Sequence, residues 1–301
     1  MRILLLGKDG QVGWELQRAL APLGLVRMLG RDEADLSQPE SLRAWVRGFA
    51  PDVIVNAAAY TAVDKAESDA ETAHLVNAVA PGVLAEEAAA LGAWLVHYST
   101  DYVFDGSKDG AWVETDATNP LSVYGRTKCE GEERIRASGA RHLILRTSWV
   151  FAARGGNFAK TMLRLARERD QLNVIADQYG APTSAELLAD ATALALYRIA
   201  GLGGDAAALS GTYHLAAGST TSWHGYAQHV LEQALGHGAA LKALPQNVNP
   251  IATEAYPTPA ARPRNSRLST ERFRAAFGLQ LPDWRHHVNR LIAELAEQGK
   301  L

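Results

Sequence analysis

The stretch Gly7-Lys8-Asp9-Gly10-Gln11-Val12-Gly13 constrains the fold more than any other feature of the chain. It lies between the apolar run Ile3 to Leu6 and the residues Val12, Leu16, Ala19 and Leu20, which recur at helical spacing until Pro22 and Gly24 stop the helix. A strand that turns through glycines into a helix opens a βαβ unit. Glycine suits a turn where φ must be positive or where a ligand comes close to the backbone, and the helix that follows presents free N–H groups and a partial positive charge. The Gly-x-x-Gly-x-x-Gly spacing departs from the Gly-x-Gly-x-x-Gly dinucleotide fingerprint, so the motif alone does not establish a nucleotide site. Its position in the first βαβ unit adds weight to that reading.

The alternation continues along the chain. Leu25 to Leu29 reads as a second strand, closed by Gly30 and Arg31, and Ser37 with Glu40 forms a capping box ahead of a helix over Leu42 to Phe49. Further strands are expected at Val53 to Val55, Trp94 to His97 and Leu143 to Leu145, with one long alanine-rich helix from about Ala70 to Leu91. Runs that are apolar throughout, rather than alternating, suit parallel strands covered on both faces. The expected fold is α/β: a doubly wound parallel sheet of the Rossmann type with a smaller C-terminal lobe. Residues 1–149 with about 173–200 form the nucleotide-binding domain, and about 150–172 with 201–301 mainly form a substrate-binding lobe.

The bulk properties narrow the class. At 301 residues, 47% hydrophobic and 21% charged, the chain has material for one large domain and a lobe. A formal net charge of −3 supplies no field for nucleic acid or anionic lipid. The lone cysteine, Cys129, rules out an intrachain disulfide and a thiolate-rich zinc site, and with the short N-terminal apolar run it fits a cytoplasmic protein with no membrane span.

Chemistry enters with Tyr124 and Lys128, four residues apart and so one turn apart on one helix face. A phenol with a pKa near 10 exchanges protons poorly at neutral pH, and a neighbouring ammonium brings that value down. Thr100 follows the strand Trp94 to His97 directly. In a doubly wound sheet the carboxyl ends of strands line the ligand crevice, so its hydroxyl is set to bond a substrate carbonyl. At the end of the second strand an acidic residue would bond the adenosine ribose of NAD, whereas arginine accommodates a 2′-phosphate. Arg31 there favours NADPH, and the nearby Asp32 and Asp35 keep NADH open. Leu36 would flank the adenine beside Asp35, and Ala59, Tyr60 and Thr61 would lie along the cofactor.

Longer runs carry a resemblance. Gly7 to Leu16, Val55 to Asp64, His97 to Phe104, Arg146 to Val150, Asp177 to Thr183 and Arg262 to Arg267 make the chain similar, over nearly its whole length, to the extended short-chain dehydrogenase/reductases and within them to the dTDP-4-dehydrorhamnose reductases. The resemblance implies reduction of dTDP-4-dehydro-β-L-rhamnose to dTDP-β-L-rhamnose by hydride from NAD(P)H. That is the last step in making dTDP-L-rhamnose for cell-surface polysaccharide such as lipopolysaccharide O-antigen. It implies Tyr124, Lys128 and Thr100 as catalytic residues. Gly7, Gly10, Gln11, Val12, Gly13, Arg31, Asp35, Leu36, Ala59, Tyr60 and Thr61, with Tyr124 and Lys128, would hold the cofactor. Thr100, Asp101, Tyr102, Trp149, Arg262 and Arg267 would meet the nucleotide sugar, the arginines suiting its diphosphate. It further implies a homodimer, with Mg2+ at Glu15 and Glu186. Two carboxylates are a sparse ligand set for a cation that prefers octahedral oxygens, and hydride transfer does not require it.

Two other readings share the fold. A sugar-nucleotide dehydratase would carry an Asp-Glu pair after the threonine, and here Asp101-Tyr102 stands in that place. An epimerase uses the same tyrosine and lysine, and spacing does not separate it from a reductase. A non-catalytic nucleotide-sensing subunit would share the glycine loop, but the intact set Thr100, Tyr124 and Lys128 argues for catalysis.

Overall fold

Six strands form one parallel sheet in a computed structural model that describes residues 1–301. They are β1 (Arg2–Leu6), β2 (Leu25–Leu29), β3 (Val53–Asn56), β4 (Trp94–Thr100), β5 (Arg141–Thr147) and β6 (Gly211–His214). Their order across the sheet is β6-β5-β4-β3-β1-β2, parallel at every pairing. All seven residues of β4 are buried, apolar at Trp94 to Val96 and polar at His97, Ser99 and Thr100 toward its carboxyl end.

The pleat sends alternate residues to opposite faces. Ile3, Leu5, Val53, Val55, Val96 and Leu143 pack with Leu16 and Leu20 of the helix Gln11–Leu20 and with Leu188 and Leu196 of the helix Ala185–Leu202. Leu4, Leu6, Ile54, Leu95 and Ile144 pack on the other side with Leu42 and Val46 of the helix Pro39–Phe49 and Leu84 of the helix Ala80–Leu91. Each such side chain taken fully out of water contributes about 1.5–3 kcal/mol. Because the chain moves outward in opposite directions from β1, to β2 on one side and β3 on the other, a crevice opens at their carboxyl ends.

A second core joins the helices Phe158–Glu168, Trp223–Gly236 and Trp284–Glu297 with a two-stranded pair, Leu172–Ile175 alongside Val248–Ile251. This redraws the expected division. The strand near Asn173 pairs with 248–251, and Leu172 and Val174 pack in the second core. Conversely β6 closes one edge of the main sheet, and Phe273 and Phe277 pack in the first core. Sequence separation alone cannot show which sheet a four-residue strand joins.

Two local expectations also change. The helix Pro39–Phe49 starts after Gln38 with no side-chain cap, because the Ser37 hydroxyl donates to Asp35 at 2.9 Å. The long alanine-rich helix is interrupted by a π turn over Leu75–Val79, where Asn77 accepts from Tyr60 N–H (2.9 Å) and donates to Tyr60 C=O (3.1 Å). That pairing ties the helix to the loop after β3. No helix is long and apolar enough to cross a membrane.

Candidate active site

The glycine loop has the geometry its sequence suggests. Gly7 has φ +84°, and a Cβ there would stand 2.7 Å from Ala58 N. A Cβ on Gly13 would stand 1.9 Å from the carbonyl oxygen of Gly7, so the first helix lies against the turn. Gly10 is the N-cap, with no side-chain cap and no acidic residue in the first turn. The helix therefore presents N–H groups that no side chain caps, and this cradle fits a dinucleotide diphosphate. Sequence reasoning missed Arg154, which donates to Asp9 C=O (3.2 Å) and covers the ring of Trp14. Gln11 reaches the same loop, donating to Gly156 C=O at 2.9 Å, while its Oε1 has no partner.

Past β2 the side chains are divided. Arg31 is exposed, 3.6 Å from Asp35, whose carboxylate accepts from Ser37 and is held below its ordinary range chiefly by that backbone N–H. Lys8 meets Glu33, which also accepts from Gly30 N–H. Leu36 turns its side chain into the core, which leaves only its backbone for a ligand. Ala59 and Tyr60 are half-buried and Thr61 is exposed along the rim after β3.

At the end of β4 stands a buried polar cluster. Thr100 and Asp101 are almost fully enclosed; the Thr100 hydroxyl donates to Asp101 Oδ1 (3.1 Å) and accepts from Tyr102 N–H (3.1 Å). Tyr124 enters from the helix Val123–Ala137, capped by Ser122. Burial pushes its phenol up to about 12, against a lowering hydrogen bond with Thr100. The rings of Tyr102 and Tyr124 meet edge to face at 5.5 Å. Burial likewise raises Asp101 to about 6, opposed by the neighbouring Ser266 and Thr100 hydroxyls, and its Oδ2 has no hydrogen-bond partner.

Lys128 departs from expectation. It is buried, and its Nζ donates to Tyr98 C=O (2.6 Å) and lies 3.1 Å from His97 Nε2. Burial brings the amine down to about 8. The expected lowering of the Tyr124 pKa is therefore absent in this state.

The second lobe supplies the opposite wall. Trp149 holds a left-handed backbone (φ +49°), which is costly for a bulky residue and typical of functional sites. Its indole stacks on Trp223 with centroids 3.6 Å apart, and a Cβ on Gly180 would come within 2.7 Å of it. Arg262 pairs with Asp64 at 2.8 Å, bridging the lobe to the loop after β3. Arg267 lies over the ring of Tyr179 and donates to Asn265. Ser266, missed as a separate residue, lies inside the run 262–267 and reaches Asp101.

Glu15 and Glu186 lie elsewhere, in a small cleft with Glu294 and His287 beside the first helix. Burial and the neighbouring Glu186 raise the Glu15 pKa, while Arg18 and Arg290 balance Glu15 and Glu186. No group of three or more ligating side chains in the chain is arranged to hold a metal ion.

The sequence matches the family model described as "RmlD substrate binding domain" over residues 1–297. It is 55% identical to the dTDP-4-dehydrorhamnose reductase of Shigella flexneri, covering 98% of both chains. Its fold is similar to the crystal structure of the Clostridium acetobutylicum dTDP-4-dehydrorhamnose reductase (TM-score 0.87, 33% identity, 98% and 99% covered). It is equally like the Bacillus anthracis reductase in complex with NADP (TM-score 0.86, 32% identity, 97% and 99% covered).

Proposed function

The chain belongs to the dTDP-4-dehydrorhamnose reductase family, and from that premise we propose that it reduces dTDP-4-dehydro-β-L-rhamnose to dTDP-β-L-rhamnose, the closing step of dTDP-L-rhamnose synthesis for cell-surface polysaccharide. The observation that carries this reading is the cluster of buried Thr100 and Asp101 with half-buried Tyr124 at the carboxyl end of β4, in the crevice the glycine loop opens onto.

NADPH held in this crevice would supply the hydride for C4 of the keto sugar. Tyr124 holds the matching proton: with a pKa near 12 it stays a neutral phenol at any physiological pH, armed as a donor to the oxygen that becomes hydroxyl. Thr100 orients that oxygen. In the resting site its hydrogen is committed to Asp101, so substrate binding must redirect it or Asp101 must gain a proton. Lys128 offsets the phenolate left on Tyr124. Tyr102, Trp149 and Arg262 would seat the sugar and diphosphate, and Arg267 would meet the second phosphate once it leaves Asn265. The lobe built on the second core would thus bind substrate.

Gly7, Gly10, Gln11, Val12 and Gly13 would cradle the diphosphate of the cofactor, with Ala59, Tyr60 and Thr61 along its length. Arg31, exposed and paired with Asp35 only at 3.6 Å, can turn to a 2′-phosphate, while Asp35 is engaged by Ser37, which favours NADPH over NADH. Arg31→Ala then weakens NADPH and leaves NADH binding unchanged. A second copy of the chain is the proposed partner at the cleft of Glu15, Glu186 and Glu294; Mg2+ there would need carboxylates from both copies, which light scattering with and without chelator would test.

The deciding experiment supplies purified enzyme with dTDP-4-dehydro-β-L-rhamnose and NADPH and identifies the product by NMR. Formation of dTDP-β-L-rhamnose with matching NADPH loss supports the reading. An isomerised keto sugar with no NADPH consumed would make the chain an epimerase.

A further inference from the structure

The hydrogen bonds behind Lys128 do not balance if the residue is an ammonium. The Asn56 side chain is oriented by its Oδ1, which accepts from Ala58 N–H at 3.2 Å, so its Nδ2 donates to His97 Nδ1 at 3.1 Å. A neutral imidazole with a lone pair at Nδ1 carries its hydrogen on Nε2. That hydrogen points at Lys128 Nζ, 3.1 Å away. An ammonium has only donors and would meet the Nε2–H head on, whereas an amine has the lone pair to accept it and still donates to Tyr98 C=O at 2.6 Å. Asn56, His97 and Lys128 are all buried, so no bulk water relieves the conflict.

We propose that Asn56 and His97 form a tautomer clamp that favours the neutral amine of Lys128 in the cofactor-free protein, and that in mildly alkaline solution loading the site for reduction draws a proton from solvent onto Lys128 Nζ.

The surroundings agree. Burial lowers Lys128 to about 8, so that it is an amine above that pH and an ammonium below it, and burial holds His97 well below its ordinary value, hence neutral. The groups facing Lys128 are His97 and Tyr98 from β4, Tyr124 one turn earlier on its own helix, and Glu132 one turn later. Glu132 is the one nearby anion that favours the ammonium, and its carboxylate is already taken by Arg146, Arg136 and Ser99. The Tyr98 hydroxyl pairs with Thr192, and from the helix across, His74 meets Glu130. Nothing else supplies a counter-charge. The reaction, however, leaves Tyr124 as a buried phenolate, which demands a cation. The second half of this inference rests on the reductase reading; the first does not.

The test begins on the protein alone, following the Lys128 ε-carbon by NMR against pH, with Lys128→Met to assign the signal. The expected midpoint is 8 or below. Asn56→Asp accepts from His97 Nδ1–H, reverses the tautomer and offers Lys128 a lone pair, so its midpoint should rise by more than one unit. His97→Gln, whose amide oxygen accepts from an ammonium, should do the same. Calorimetry of NADPH binding at pH 9 in two buffers of different ionisation enthalpy should show uptake of close to one proton in the wild type and close to none in Asn56→Asp. Correspondingly, the wild-type Kd should weaken by up to about tenfold per pH unit above the midpoint, while that of Asn56→Asp stays flat. A wild-type midpoint near the ordinary 10.4, or variants that titrate like the wild type, would overturn the clamp. Failure of NADPH to bind the wild type would instead remove the reductase reading, and the titration would still decide the amine.

Discussion

Gly13→Ala is a small change with a large expected effect. Gly13 lies in the first turn of the first helix with an ordinary helical backbone, so in a free helix alanine would stabilise it by about 1 kcal/mol. Here the new Cβ would stand 1.9 Å from Gly7 O and 2.7 Å from Gly7 C, and both are backbone atoms that cannot rotate away. Ordinary contact begins at 3.4 Å, so helix and loop must separate by about 1.5 Å. Overpacking of this kind costs about 1–3 kcal/mol, which outweighs the helix gain. The shift also moves the N–H groups proposed to hold the diphosphate. Affinity for NADPH should fall at least tenfold, about 1.4 kcal/mol, with a lower Tm. Cofactor binding by fluorescence titration and thermal melts would measure both. A variant that melts higher and binds NADPH as tightly as the parent would refute the close helix–loop packing.

Two further substitutions probe the polar groups. Glu132 is fully buried and accepts from Arg146 (2.9 and 2.6 Å), Arg136 and Ser99; Glu132→Ala leaves Arg146 charged and unpaired, at a cost of about 3–5 kcal/mol in denaturant unfolding. Burial opposes ionisation of Glu132, but the Arg146 pairing holds its pKa down, so its stabilisation is present above the unfolded value and is lost as pH falls through the folded one. Asp101 has the opposite sign. Its carboxyl is raised from 3.8 to about 6, so the folded state loses stability as pH rises between those values, about 3 kcal/mol in total. Asp101→Asn should therefore raise Tm at pH 8, give little gain at pH 4, and lower turnover at both.

The inner strands β1 and β3 were legible because they are apolar and buried on both faces. Thr100 was legible because it directly follows an apolar strand, and Tyr124 because Lys128 stands four residues after it. What hides behind them was not. His97 is one histidine inside an apolar strand and reads as core, and its pairing with Asn56 depends on the register that sets the two residues opposite each other across β3 and β4. The π turn at Leu75–Val79 has no composition of its own, since alanines serve either helix. The Ser37–Glu40 capping pattern lost to a local turn in which Asp35 took the Ser37 hydroxyl. The side-chain ties of the second lobe, Arg262 to Asp64 and Trp149 to Trp223, span distances in sequence that no local pattern records.

The account turns on Tyr124 as the proton donor in a reductase. Steady-state and single-turnover kinetics of Tyr124→Phe with dTDP-4-dehydro-β-L-rhamnose and NADPH, alongside the Kd of NADPH, measure this directly. Removing only the phenolic hydroxyl should lower kcat by about 10²–10⁴-fold and leave the Kd within about twofold. A variant that turns over at the parental rate would contradict the assignment.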